Sequence, residues 1–198
     1  MKSRMRFVTV FASLVVFSQV NAGEIYKFDQ SHSKIGFAVK HLLGTAKGEF
    51  HRFSGAIDLD TAAPEQFTVS ARIEVASIDT GIVQRDNHLR SSDFFDAKKF
   101  PEITFKSQSV KLTSARSADV TGNLTMHGVS RPIVLHVQPL NGGSTERSRW
   151  KVTTAPLNRR DFNLMFSGVA EAVSGVGRDV SVNIEIELNL ALTTPEPH

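Results

Sequence analysis

Cysteine is absent from all 198 residues of this chain. That excludes disulfide staples, a thiolate nucleophile and cysteine-ligated zinc. It also excludes an N-terminus anchored to lipid through a cysteine. Aromatic residues with a polar handle are almost missing: there is one Trp and one Tyr against 14 Phe. Long apolar runs are missing too, apart from Phe7 to Phe17. That run is too short to cross a bilayer as a helix. It follows Lys2, Arg4 and Arg6 and precedes Val20-Asn21-Ala22, with small residues at the −3 and −1 positions. The pattern predicts a secretory signal over residues 1–22, cleaved after Ala22, and a periplasmic protein beginning at Gly23. A retained N-terminal anchor is the alternative.

An excess of charge is the last thing the chain lacks. It carries 23 basic and 20 acidic residues, and three of the basic ones are Lys2, Arg4 and Arg6. No acid lies in that stretch, so the remainder balances at 20 of each sign. The apparent basicity belongs to the export signal and does not point to nucleic acid. Removing 22 of 198 residues leaves 176. That is enough for one domain whose stability rests on its core alone.

What is present is alternation. In residues 179–192, Val180, Val182, Ile184, Ile186, Leu188, Leu190 and Leu192 face one way. Asp179, Ser181, Asn183, Glu185, Glu187 and Asn189 face the other, which predicts a long strand with one solvated side. Similar runs cover 24–28, 33–41, 53–59, 67–75, 103–112, 118–126, 131–139 and 148–154. Together they predict about eight to ten strands in one domain, residues 23–192, followed by a frayed tail at 193–198. Several runs change phase: Phe50 and Phe53, Val75 and Ile78, and Phe105 and Val110 have opposite parity. Such flips indicate bulges or bends, which closing a sheet into a barrel requires. The predicted fold is therefore an all-β, extended antiparallel barrel of about eight strands.

Two stretches are candidates for helix: Gln84 to Phe95 and the glycine-rich Phe166 to Gly177. The first belongs to a charged insertion, Thr80 to Phe105, that holds Arg85, Asp86 and His88 and then Phe94-Phe95. An Asp beside a His can orient an imidazole for general-base work. The competing reading is a clamp that fixes a loop against strand ends. Histidine spacing shows no zinc pattern, although His32, His88 and His127 stand near predicted strand ends and could converge. The inward-facing Phe, Ile and Val residues leave two interiors open: a solid core, or a cavity for one apolar ligand.

These segments resemble the YceI-like family of exported, polyisoprenoid-binding proteins with a lipocalin-like barrel. The matching pieces include Asp29-x-x-His32-Ser33-x-Ile35-x-Phe37 and Val39-Lys40-His41. Gly48-x-Phe50-x-x-Phe53-x-Gly55-x-Ile57 follows. The longest is Thr80, then Arg85-Asp86-x-His88-Leu89, Asp93-Phe94-Phe95 and Phe100-Pro101-x-Ile103-x-Phe105. Gly122-x-Leu124-Thr125-Met126-His127-Gly128-Val129 and Asn158-Arg159-x-Asp161-Phe162 complete the set. The chain departs at Asn163-Leu164-Met165-Phe166, where relatives are often glycine-rich, and this bears on the shape of one barrel mouth.

The resemblance implies a tunnel for a long isoprenoid lipid or similar amphiphile, with no catalytic activity and no cofactor. A homodimer stays open. It tips the apolar residues toward tunnel lining: Phe37, Val39, Phe53, Ile57, Ile73, Ile78, Phe94, Phe95, Phe105, Leu124 and Phe166. The insertion then reads as a short helical lid. Arg85, Asp86, His88 and Arg159 are placed at a polar mouth or as the fixings of the lid. The rivals are a hydrolase or isomerase acting through His88 and Asp86, and an interaction module with a solid barrel.

Overall fold

The computed structural model of the protein describes residues 24–42, 44–59, 67–140, 148–166 and 175–190. The expected signal segment, the expected tail and most of the second helical candidate lie outside the described residues. The strands are β1 (Glu24–Phe28), β2 (Lys34–His41), β3 (Gly44–Phe50), β4 (Phe53–Leu59), β5 (Thr68–Glu74) and β6 (Ile78–Asp79). They continue as β7 (Glu102–Ser114), β8 (Ser117–Met126), β9 (Val129–Pro139), β10 (Ser148–Thr153), β11 (Leu157–Asn158) and β12 (Val176–Leu190). One helix, α1 (Val83–Arg90), stands between β6 and β7.

Every pairing is antiparallel. Eight strands form a ring in the order β1, β4, β5, β7, β8, β9, β10, β12, and β1 pairs with β12 to close it. Closure leaves the ring without an edge strand. β2 continues β1 past a bend and stays on the same side of β12. β3 and β6 likewise continue β4 and β5 beyond bends, so the order runs on from β12 through β2 and β3 to β6. The parity flips in the sequence mark these places. His51 and Arg52 separate β3 from β4, a 3₁₀ turn at Val75–Ser77 separates β5 from β6, and the β7–β8 register shifts between Ser107 and Ser109.

The inner faces carry the core. β8 shows it most simply: Ala118, Val120, Gly122, Leu124 and Met126 are buried while the intervening residues are more exposed. That is the period of two that its sequence dictates. Two features depart from the expected pattern. β3 is a full strand, yet Gly44, Gly48 and four small or polar residues hide its alternation. Glu187, expected on a solvated face, is buried. The turn between β1 and β2 crosses over it: Glu187 N donates to Ser33 Oγ at 2.8 Å, and Asp29 N donates to Glu187 O at 2.8 Å.

Candidate functional site

The barrel is hollow. A cavity of about 1020 Å³ runs along it, lined at one end by Leu59, Leu112 and Ser117 and at the other by His41, Leu164 and Phe166. The wall is apolar through most of its length. Its volume stands at the top of the roughly 300–1,000 Å³ range of ordinary small-molecule sites. No Asp or Glu is among the described residues that line it, whereas Arg85, Arg116, Arg159, His41 and His88 are.

Glycines thin the wall where Phe rings need room. An added Cβ at Gly48 would lie 2.4 Å from the Phe37 ring, at Gly55 2.2 Å from Phe28, and at Gly122 2.5 Å from Phe105. Each distance is far inside van der Waals contact. These rings therefore lie against the neighbouring strand and leave the lumen open.

α1 and the turns after it close the end at which β6 stops. An eight-residue helix does not hold its shape alone in water, and its fixings are explicit. Thr80 N donates to Asp86 Oδ1 at 2.9 Å, and Thr80 Oγ1 donates to the same oxygen at 2.5 Å. Arg85 Nε donates to Thr80 Oγ1 at 2.7 Å, and its Nη2 donates to Thr80 O at 2.9 Å. Arg90 Nη1 reaches the carbonyls of Ala76 and Ile78. Helical spacing then turns Arg85, His88 and Leu89 onto the cavity side.

Behind the lid runs a chain of aromatic contacts. Phe37 meets Phe50 at 5.6 Å between centroids, Phe50 meets Phe95 at 6.4 Å, and Phe95 meets Phe94 at 5.3 Å. Phe94 meets Phe166 at 5.2 Å, and Phe166 stacks on His88 at 5.7 Å with 16° between the planes. The guanidinium of Arg159 lies 5.4 Å from the centroid of Phe166. Arg159 is buried, and it donates to the carbonyls of Leu164 at 2.6 Å, Gly177 at 3.0 Å and Val176 at 3.4 Å. It thus ties the segment after β11 to the start of β12.

Thirteen of the fifteen residues singled out in the sequence line the cavity. Phe53 and Asp86 do not. Phe53 is buried, but it opens β4 directly after the bend and its ring joins the packed core. Asp86 is buried on the rim side of α1, where its carboxylate is spent on Thr80. Sequence reasoning missed Phe50, Tyr26, Phe28 and Trp150 on the wall. Phe50 was hidden with its unrecognised strand, whereas Trp150 shares the parity of Val152 and was legible. The Trp150 Nε1 is buried without a hydrogen-bond partner, a polar atom in an otherwise apolar part of the wall.

The three histidines do not converge. His32 pairs with Asp29 at 2.9 Å, His88 stacks on Phe166, and His127 faces Phe100 and the carbonyl of Phe162. Ligand atoms of Asp29, His32 and Glu187 do come within 4.8 Å of one another on the outer face. The Asp29 oxygens already accept from Ser31, His32 and Asn189. The Ser31 hydroxyl, followed by His32, holds that carboxyl well below the usual range. The group is a hydrogen-bonded knot that fastens the β1–β2 bend to β12.

Comparison with known proteins agrees with this architecture. The profile of the YceI-like domain matches residues 26–188. A UPF0312 protein of Pseudomonas putida is 33% identical over 189 residues, covering 92% of this chain and 96% of the relative. Among solved structures, Burkholderia cenocepacia BcnA superposes with a TM-score of 0.73 at 26% identity, covering 81% of this chain and 98% of that one. The Campylobacter jejuni YCEI protein gives 0.61 at 33% identity, over 81% and 95% of the two chains. A polyisoprenoid binding domain from Saccharophagus degradans gives 0.63 at 21% identity, over 84% and 98%, a likeness of fold. With residues 26–188 matched by the family profile and a relative one-third identical nearly end to end, the chain belongs to the YceI-like domain family.

Proposed function

We propose that the protein is a non-catalytic carrier that holds a long-chain isoprenoid lipid, of polyprenyl or quinone type, inside the barrel. The observation that carries this reading is the apolar cavity of about 1020 Å³, continuous along the barrel and roofed by a fixed lid. A chain buried there is stabilised by roughly 25 cal/mol for each Å² of apolar surface removed from water. The solved domain from Saccharophagus degradans, described as polyisoprenoid-binding, has the same barrel and supports this ligand class. The sequence at Val20-Asn21-Ala22 supports export and action in the periplasm.

Two contacts speak against the hydrolase or isomerase. The carboxylate of Asp86 accepts from Thr80, not from an imidazole. His88 presents its ring face to Phe166. A base–orienter pair needs those two side chains within hydrogen-bond reach of each other.

Organic extraction of protein recovered from its native compartment, followed by mass spectrometry, tests the proposal. A polyprenyl or quinone species recovered in near-stoichiometric amount is the expected result. Repeated recovery of an empty barrel that also takes up no added polyprenyl lipid would overturn it.

A further inference from the structure

We infer that the lid end of the barrel docks on an anionic phospholipid bilayer, with the tip of the β2–β3 hairpin and the first residues of α1 in the lipid interface. The choice of a lipid surface rests in part on the carrier reading, because a cargo of this kind is drawn from a membrane. The surface itself is independent of that reading.

Six large apolar side chains are exposed among the described residues, and four of them stand at the lid end. Leu42 is 84% exposed, Val83 73%, Ile82 50% and Met165 44%. They sit on three segments that pack on one another. Leu42 is at the hairpin tip, and its N donates to Gly175 O at 3.2 Å. Arg159 fastens Leu164, the neighbour of Met165, to Val176 and Gly177. Phe166 stacks on His88 of α1, and the methyl of Thr80, just before Ile82, faces Gly48 of the hairpin.

The local sequence breaks rules that water would enforce. Ile82 occupies the N-cap of α1 and makes no side-chain cap, where Ser, Thr, Asp or Asn is favoured. Val83, a β-branched residue of modest helix propensity, follows in a solvated first turn. Such violations without a local gain mark functional surfaces. Charge completes the fit. Lys40 and Lys47 flank the tip on the outer face, with no acid between them in the sequence. Arg178 stands one residue beyond Gly177, whose Cα faces Lys40 O. Glu49, the first acid along β3, is set back from the tip in register with Gly36. An exposed apolar hairpin tip flanked by Lys40 and Lys47 suits an interfacial element on an anionic leaflet.

The test uses the processed protein beginning at Gly23 and sedimentation with vesicles. Phosphatidylcholine vesicles containing phosphatidylglycerol are compared with phosphatidylcholine alone. Binding to the anionic vesicles, weakened by salt, is expected. Leu42→Asp with Val83→Asp should lower the partition coefficient by about tenfold or more, and Lys40→Glu with Lys47→Glu should lower it on anionic vesicles only. Val134→Asp, on the outer face of β9 away from the lid end, serves as the folded control and should bind like the parent. Absence of binding, or equal losses at Leu42 and Val134, would overturn the inference. So would a dimer in sedimentation velocity that Leu42→Asp dissolves, because a second copy would then own the face. Vesicle binding by a protein that takes up no lipid would sink the carrier reading and leave the docking surface standing.

Discussion

Phe37 on β2 and Gly48 on β3 are paired in register, and a Cβ at Gly48 would lie 2.4 Å from the Phe37 ring. The ring occupies the space that a side chain on the partner strand would take. This pairing decides whether an inward Phe fills the barrel or panels its wall.

Gly48→Ala should therefore push the Phe37 ring toward the lumen. Overpacking of this kind costs roughly 1–3 kcal/mol, and the displaced ring should shorten the space for a ligand. Urea denaturation and lipid stoichiometry read the two effects. Adding Phe37→Leu should restore much of the loss. A Gly48→Ala protein with unchanged stability and capacity would show that the ring has another place to go.

The Thr80–Asp86 clamp makes a separate prediction. Asp86→Ala leaves the amide and hydroxyl of Thr80 without their acceptor, a loss of about 1–3 kcal/mol for buried donors. Asp86→Asn keeps an acceptor oxygen and should cost less. Because the clamp fixes the lid, bound lipid should also leave faster from Asp86→Ala, measured by transfer to acceptor vesicles. Equal off-rates for parent and variant would mean that α1 does not gate the tunnel.

His88 separates carrier from enzyme. His88→Ala loses its stack on Phe166, an interaction worth roughly 0.5–1.5 kcal/mol for well-packed aromatic pairs and less at an exposed edge. Lipid uptake should persist at near-parent stoichiometry, and neither protein should convert the lipid. Turnover by the parent that vanishes in the variant, with binding intact, would instead establish catalysis.

Acid should weaken the fold through its outer carboxylates. Ser31 and then His32 depress Asp29, Arg52 depresses Glu74, and His51 depresses Asp79. A carboxylate depressed on folding contributes stability that is present above its unfolded value and is lost as pH falls through its folded one. The urea midpoint should therefore be level near neutrality and fall below about pH 4, where unfolded carboxylates begin to protonate. Asp29→Asn should lower the neutral plateau and flatten the acid limb. An acid limb of the same slope in that variant would remove Asp29 from the account.

Much of the fold was legible because strands announce themselves by alternation. Val180 through Leu188 reads as one face, and the flips at Phe50/Phe53, Val75/Ile78 and Phe105/Val110 fall where the strands bend or bulge. β3 escaped because its inward position is a glycine, and it is a glycine because the Phe37 ring already fills that volume. Glu187 misled because its neighbours alternate as on a solvated face, while a turn from 154 residues away in sequence folds over it. Asp86 looked like a candidate for chemistry beside His88, since adjacency in sequence does not tell which way two helical side chains point.

Local patterning is enough to specify an all-β chain with an apolar inward face, bends at named positions and a short helical insertion. Those follow from local periodicity and from the sizes of neighbouring side chains. The hollow interior is instead a product of packing between strands. Whether the eleven phenylalanines of the described residues make a core or a lining depends on rings from one strand lying over glycines of the next. Cross-strand register sets that relationship, and register is a property of the closed sheet rather than of any single segment.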